Sequence, residues 1–163
     1  MPNWINNHWR IEAPPDVIDE IDALLFDYND DGKRVKMRFQ RVIPMPDILR
    51  RTVARFGQGG PWVRDNADDY DDHGRLATPE EAAEIKATGF ENWYDWATKT
   101  WGAKWEIGDA FDIKEDGGGY LTLSFQSAWS PPVGVVEELR RRYEHLDGTD
   151  DEVNISASYE DDY

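Results

Sequence analysis

The sequence predicts an α+β fold, and three observations carry that prediction. Four stretches alternate apolar and polar residues with the two-residue period of a half-buried strand. Two stretches, after Pro14-Pro15 and after Pro131-Pro132, carry apolar residues at helical spacing. A long segment between the first helix and the second strand, about residues 34–102, carries mostly helical signals. With that segment set aside the order is βαββαβ, the ferredoxin-like arrangement of an antiparallel sheet with two helices on one face. The 163 residues are read as a single domain, 1–163, with 34–102 as an insertion.

Trp4 to Glu12 sets Ile5, Asn7, Trp9 and Ile11 against Asn6, His8, Arg10 and Glu12, with Ile5, Trp9 and Ile11 facing inward. Pro14 and Pro15 sit where a helix can begin, and Val17, Ile18, Ile21, Leu24 and Leu25 form its apolar stripe. The helix is expected to end near Phe26. Asp27 to Gly32 matches the opening of a calcium loop, D-x-N-x-D-G. The match then fails: Arg38 stands where a bidentate Glu is needed, and Arg34 where an apolar residue is usual. A turn rich in Asn, Asp and Gly is expected instead. Val35 to Ile43 alternates again and reads as a short strand, its outward Lys36 and Arg38 suited to a sheet edge. Pro44-Met45-Pro46 breaks it, and Asp47 to Phe56 is expected as a short helix bearing Arg50, Arg51 and Arg55. Those arginines either bind phosphate or an acidic surface, or are solvated and paired with the chain's own acidic loops; the second reading is preferred.

Gly57 to Arg75 is the clearest loop, with Asp65, Asp68, Asp69, Asp71, Asp72 and His73 inside it. Five carboxylates beside a histidine suggest a metal, but the stretch has no flanking framework to hold a cage, so a mobile acidic loop is expected. Thr78-Pro79-Glu80-Glu81 supplies a cap, a proline at the first position and acids in the first turn of a helix running to about Ala87. Asn92 to Trp105 then holds Trp93, Trp96, Trp101 and Trp105. Phe90, Trp93, Tyr94, Trp96 and Ala97 share a helical face, Gly102 stops the helix, and Trp105 opens an extended run. So dense a cluster is read as a core plug beneath helix and sheet, in preference to a site for a sugar or a base.

Trp105, Ile107, Phe111 and Ile113 are the apolar positions of the next strand, with a bulge allowed at Gly108. Asp116 to Gly119 makes a turn into Leu121, Leu123 and Phe125, which alternate with Thr122, Ser124 and Gln126. Ser130-Pro131-Pro132 caps a helix with the stripe Val133, Val136, Leu139, Tyr143 and Leu146. Glu152 to Tyr159 is the last strand, with Val153, Ile155, Ala157 and Tyr159 inward.

The residues now in view resemble a known family. The opening MPNW-x-NN, the W-G-x-K-W at Trp101 to Trp105, A-W-S-P-P at Ala128 to Pro132 and the IPMP at Ile43 to Pro46 look like the YubB ferredoxin-like family of plasmid and phage proteins. Members commonly carry Cys where this chain has Ile5. The resemblance implies a mobile-element origin and the same fold. It implies no activity.

Composition bounds function more tightly than motif does. The chain has no cysteine, which excludes disulfides, thiol catalysis and cysteine-based zinc sites. No apolar run approaches a membrane span and the first residues lack a signal-peptide pattern, so a cytoplasmic protein is expected. Net charge is −16, with eight basic residues and one acidic residue between Lys33 and Arg55 and the remainder strongly acidic. Such a surface repels nucleic acid and attracts basic partners. No nucleophile–base pair, metal triad or phosphate loop is marked, so no catalytic residue, metal or cofactor is assigned and no enzyme is expected. The favoured function is an acidic binding protein that blocks a nucleic-acid-handling or defence complex by resembling a polyanion, anti-CRISPR or anti-restriction action being the concrete form. Its partner-binding residues are Asp65, Asp68, Asp69, Asp71 and Asp72, then Asp147, Asp150, Asp151 and Glu152, then Glu160, Asp161 and Asp162. Two alternatives stand. One is an accessory or structural protein whose acidity is salt adaptation, since Asp outnumbers Glu and Arg outnumbers Lys. The other is a weak nucleic-acid binder acting through the basic segment 33–55.

Overall fold

A computed structural model describes residues 3–55, 59–107, 111–115 and 118–161. Its main sheet has four strands in the order β7-β8-β1-β9, every neighbouring pair antiparallel. β1 is Trp4–Glu12 and is followed by helix α1, Pro15–Leu25; β7 is Phe111–Glu115, β8 Tyr120–Ala128 and β9 Asn154–Asp161. Between β8 and β9 runs helix α6, Val133–Tyr143, and a short 3-10 turn. The α+β class expected from the sequence is borne out.

Alternation dictates the two faces of this sheet. Ile5, Trp9 and Ile11 of β1 and Leu121, Leu123 and Phe125 of β8 are all buried on one side. Helices α1 and α6 cover that side with Ile18, Ile21 and Leu25, and with Val135, Val136, Leu139 and Tyr143. The other side presents polar cross-strand rows, such as Ser124–His8–Ser158 and Thr122–Arg10–Ser156. Asn7 is the polar exception on the buried side. Its Nδ2 donates to the Ile5 and Phe125 carbonyls and to Ser127 Oγ, which offsets the cost of burying the nitrogen, while its buried Oδ1 has no partner among the described residues.

Between α1 and β7 the described residues form two small sheets and four helices. β2, Phe26–Tyr28, pairs with β3, Arg34–Met37, across the Asp27–Gly32 stretch that resembles a calcium loop. The turn closes on itself: Asn29 Oδ1 accepts the Asp31 and Lys33 N–H groups, and Gly32 takes a positive φ of 72°. The hairpin is tied to α1 by Asp22, which accepts two bonds from the Arg34 guanidinium and one from the Tyr28 hydroxyl. Burial, then that bond to Asp22, pushes the Tyr28 phenol up to about 12. Next come α2, Phe39–Val42, and α3, Asp47–Arg51. β4, Thr52–Val53, β5, Trp62–Val63, and β6, Arg75–Leu76, form a second small sheet, before α4, Pro79–Ala87, and α5, Trp93–Thr100.

One run of aromatic contacts links the insertion to the main sheet. Trp9 meets Phe125 edge-on at 5.0 Å between ring centroids, Phe125 meets Phe39 at 6.4 Å, Phe39 meets Trp101 at 5.9 Å and Trp101 meets Trp96 at 5.1 Å. Each such pair adds to the area its rings bury. Trp96 and Trp101 are the core plug the sequence implied. Trp93 is only half-buried, and Trp105 is 38% exposed rather than part of the plug.

Several expected elements are corrected. The strand expected over Val35 to Ile43 stops at Met37. Phe39 and Val42 are both buried, and residues three apart share a face on a helix but not on a strand. The helix expected from Asp47 to Phe56 ends at Arg51, and Thr52 enters β4. Trp105 to Ile107, expected to open the extended run, are not strand, and β7 is described over Phe111–Glu115. In α6 the buried stripe uses Val135 beside Val136, while Val133 is 43% exposed. Tyr159, expected inward, is exposed at the outer edge of β9. The bulge expected at Gly108, and the Asp116-Gly117 half of the turn, lie outside the described residues.

Candidate functional site

The loop from Asp65 to Asp72 is organised by its own carboxylates. Asn66 Oδ1 accepts the Asp68 N–H, Asp69 Oδ1 accepts the Asp71 and Asp72 N–H groups, and Asp72 accepts those of Asp65 and Gly74. The Gly74 N–H above all, with the Asp65 N–H and nearby Arg64, holds the Asp72 carboxyl below the usual carboxylate range. Arg75 grips Asp65 at 3.0 and 2.8 Å and reaches Glu81 at 2.8 and 3.0 Å. Glu81 also accepts from Arg51 at 2.8 Å and from the Thr78 N–H at 2.9 Å, completing the capping box that starts α4. The Arg75 bonds, then the Thr78 N–H, hold the Glu81 carboxyl far below its usual range. Asp68 faces Arg50 at 3.3 Å.

The loop is therefore tied to itself and, through Arg50, Arg75 and Glu81, to α3 and α4. Asp65, Asp68 and Asp69 each use one carboxylate oxygen, and Asp72 both, on N–H and guanidinium groups of the loop and its neighbours, while Asp65 and Asp68 stay largely exposed. Among the described residues, no group of three or more His, Asp or Glu side chains is arranged to hold a metal ion.

The other proposed carboxylates stand differently. Asp147, Asp150, Asp151 and Glu152 are all exposed in the turn between α6 and β9, and Glu152 accepts the Gly148 N–H across it. Glu160 and Asp161 are exposed at the far end of β9, opposite Asn6 and Ile5. The two groups are separated by most of an edge strand, roughly 23 Å at about 3.3 Å per residue. Asp162 lies outside the described residues.

The arginines account for the difference. All twelve meet a carboxylate or a carbonyl of their own chain. Arg34 is held by Asp22, Arg41 and Arg38 lie against Asp27, Arg51 and Arg75 share Glu81, and Arg141 and Arg142 share Glu138. Arg10 pairs with Glu12 and Arg50 with Asp68, while Arg55, Arg64 and Arg140 donate to the carbonyls of His73, Asp72 and Ile155. The basic segment is thus largely turned toward the chain's own acids, as the preferred reading of its arginines had it. Among the described residues no comparable ion pair reaches Asp147 to Glu152, Glu160 or Asp161.

One hydroxyl–imidazole contact exists on the open sheet face. His8 Nδ1 lies 3.0 Å from Ser124 Oγ. Asp112 stands opposite Ser124 rather than beside His8, and on its other side the imidazole is paired with Ser158. A base in a hydrolytic triad is oriented by an acid on its far side. This row is ordered differently. Among the described residues no helix is long and apolar enough to cross a membrane.

In comparisons with known proteins, no family model, no curated protein and no solved structure matches this chain.

Proposed function

We propose that the chain is an acidic binding protein of phage or plasmid origin that inhibits a host nucleic-acid-handling or defence complex by occupying its phosphate contacts, in the manner of an anti-CRISPR or anti-restriction mimic. The observation that carries this reading is the internal use of positive charge. With most of the arginine charge paired within the chain, carboxylates from Asp147 to Glu152 and at Glu160 and Asp161 are left to face a partner. A lysine- and arginine-rich groove gains from such a row what it gains from phosphates. The C-terminal carboxylates are the part of this surface with no internal cation among the described residues, while the carboxylates from Asp65 to Asp72 add exposed charge and also hold their own loop. The order β7-β8-β1-β9, with α1 and α6 on one face, supports the finer reading of the core as ferredoxin-like.

The test is capture from a host lysate by the tagged chain at low and high KCl, with bound proteins identified. A basic, nucleic-acid-binding complex recovered at low salt and displaced by DNA is expected. Replacing Asp147, Asp150, Asp151 and Asp161 by Asn, and Glu152 and Glu160 by Gln, should abolish its capture; undiminished capture by that variant would sink the proposal.

A further inference from the structure

Beside the acidic loop lies a cleft of about 560 Å³ with the opposite character. Five cations line it, Lys36, Arg38, Arg50, Arg64 and Lys104, against the two carboxylates of Asp68 and Glu106. The ion-pair contacts of Arg38 are long, 3.7 and 4.0 Å, and Arg50 meets acids only at 3.3 and 3.6 Å. Guanidinium donors therefore remain for another anion. Lys36 and Lys104 have no ion-pair partner among the described residues.

Aromatic rings share the walls. Trp101 is a fixed floor, buried and donating its Nε1–H to the Ile43 carbonyl at 2.9 Å. Tyr70 and Trp105 differ from it: they are 79% and 38% exposed, large rings held toward water in a chain with a core available to bury them. Each carries a cation over its ring, Arg64 5.3 Å from the Tyr70 centroid and Lys104 4.5 Å from that of Trp105. Lys104 also lies 5.4 Å from the ring of Trp129, which is exposed and holds a φ of 74°, an unfavourable state for so bulky a residue.

We infer that this cleft binds a nucleotide unit, a planar base joined to a phosphate. Flat exposed rings offer a stacking surface to any base, and lysine and guanidinium groups beside them suit the phosphate. The volume falls in the range of small-molecule sites. The net charge of the whole molecule does not forbid it, because charges farther than about 8 Å are screened at physiological ionic strength. A duplex would meet the acidic exterior, whereas a single nucleotide meets mainly the cleft. The ligand is a free mononucleotide or one unit of a single strand. This site is separate from the C-terminal carboxylates of the mimic reading and stands without them.

Calorimetric titration of the whole chain at low salt tests it. The probes are AMP and UMP, then adenosine, ribose 5-phosphate and a short oligothymidylate. AMP or UMP should bind saturably, with adenosine and ribose 5-phosphate each weaker by about tenfold or more. Trp105→Leu, Tyr70→Ala and the pair Lys36→Gln with Lys104→Gln should each weaken nucleotide binding by a similar factor, with the far-ultraviolet spectrum unchanged. An oligothymidylate binding more tightly than UMP marks a strand as the source, and no such gain marks a free nucleotide. The inference is overturned if no nucleotide or oligonucleotide binds at millimolar concentration, if ribose 5-phosphate binds as well as AMP, or if the folded variants keep wild-type affinity.

Discussion

Glu81 shows how one residue serves two levels of structure. Its carboxylate caps the first turn of α4 and gathers Arg75 and Arg51, so the acidic loop, α3 and α4 are joined at a single side chain. Half of this was readable in advance. Thr78 and Glu81 stand three apart before a helical run, and that spacing alone announces a capping box. The arginines were not readable, because Arg51 is thirty residues away in sequence. The folded state holds the Glu81 carboxyl far below its ordinary value of 4.5, so its contribution is present above that pH and is lost as pH falls below it. Glu81→Gln keeps an oxygen for the Thr78 N–H but loses the charged bonds to Arg75 and Arg51, and is therefore expected to cost about 1 kcal/mol at neutral pH. It should also flatten the fall in stability below pH 4.5. Urea unfolding followed by tryptophan fluorescence across that range is the check, and an acid limb as steep as wild type would remove Glu81 from the account.

At the scale of elements, the tightest contact joins α5 to α6. A Cβ on Gly134 would lie 1.9 Å from the Thr100 carbonyl oxygen, and the Gly134 N–H donates to the Trp101 carbonyl at 3.1 Å. The glycine is required by closeness of backbones, not by its own dihedral angles. Gly134→Ala should destabilise the fold by about 3 kcal/mol, roughly 6 to 12 °C in Tm. An unchanged melting curve would mean that the two helices do not meet in this way. Nothing in the sequence marked Gly134, since a glycine in the first turn of a helix reads as tolerated. Alternation was a safer guide where a strand had one wet face, as in β1 and β8. It failed at Phe39 to Val42, where four residues are too few to show a helical period.

For the molecule as a whole, the question is what an excess of carboxylate does. Most of the positive charge is used within the fold, so the excess lies on exposed turns, on the β9 edge and on helix faces, as at Asp16 and Asp19 of α1 and Glu80 and Glu84 of α4. If acidity serves a partner, the fold itself needs no salt. The chain is expected to stay folded near 10 mM KCl, with a Tm only about 5 °C below that at 150 mM, because carboxylates exposed to water repel one another weakly in its high dielectric even when the Debye length grows to about 30 Å. Circular dichroism over a KCl series measures this. Collapse of the fold at low salt would instead identify the acidity as adaptation to a salt-rich cell.

By itself the sequence determined the strand alternation, the cap at Thr78, the turn at Asn29 and the buried pair Trp96 and Trp101, since each depends on neighbours within a few positions. Only the tertiary structure decided which carboxylates are consumed and which face solvent, and that Tyr70, Trp105 and Lys104 stand beside Arg50 and Arg64 in one cleft. Local spacing sets backbone conformation and the face a side chain takes. Charge pairing and clefts join residues from distant parts of the chain, and the spacing between them appears only once the elements have packed.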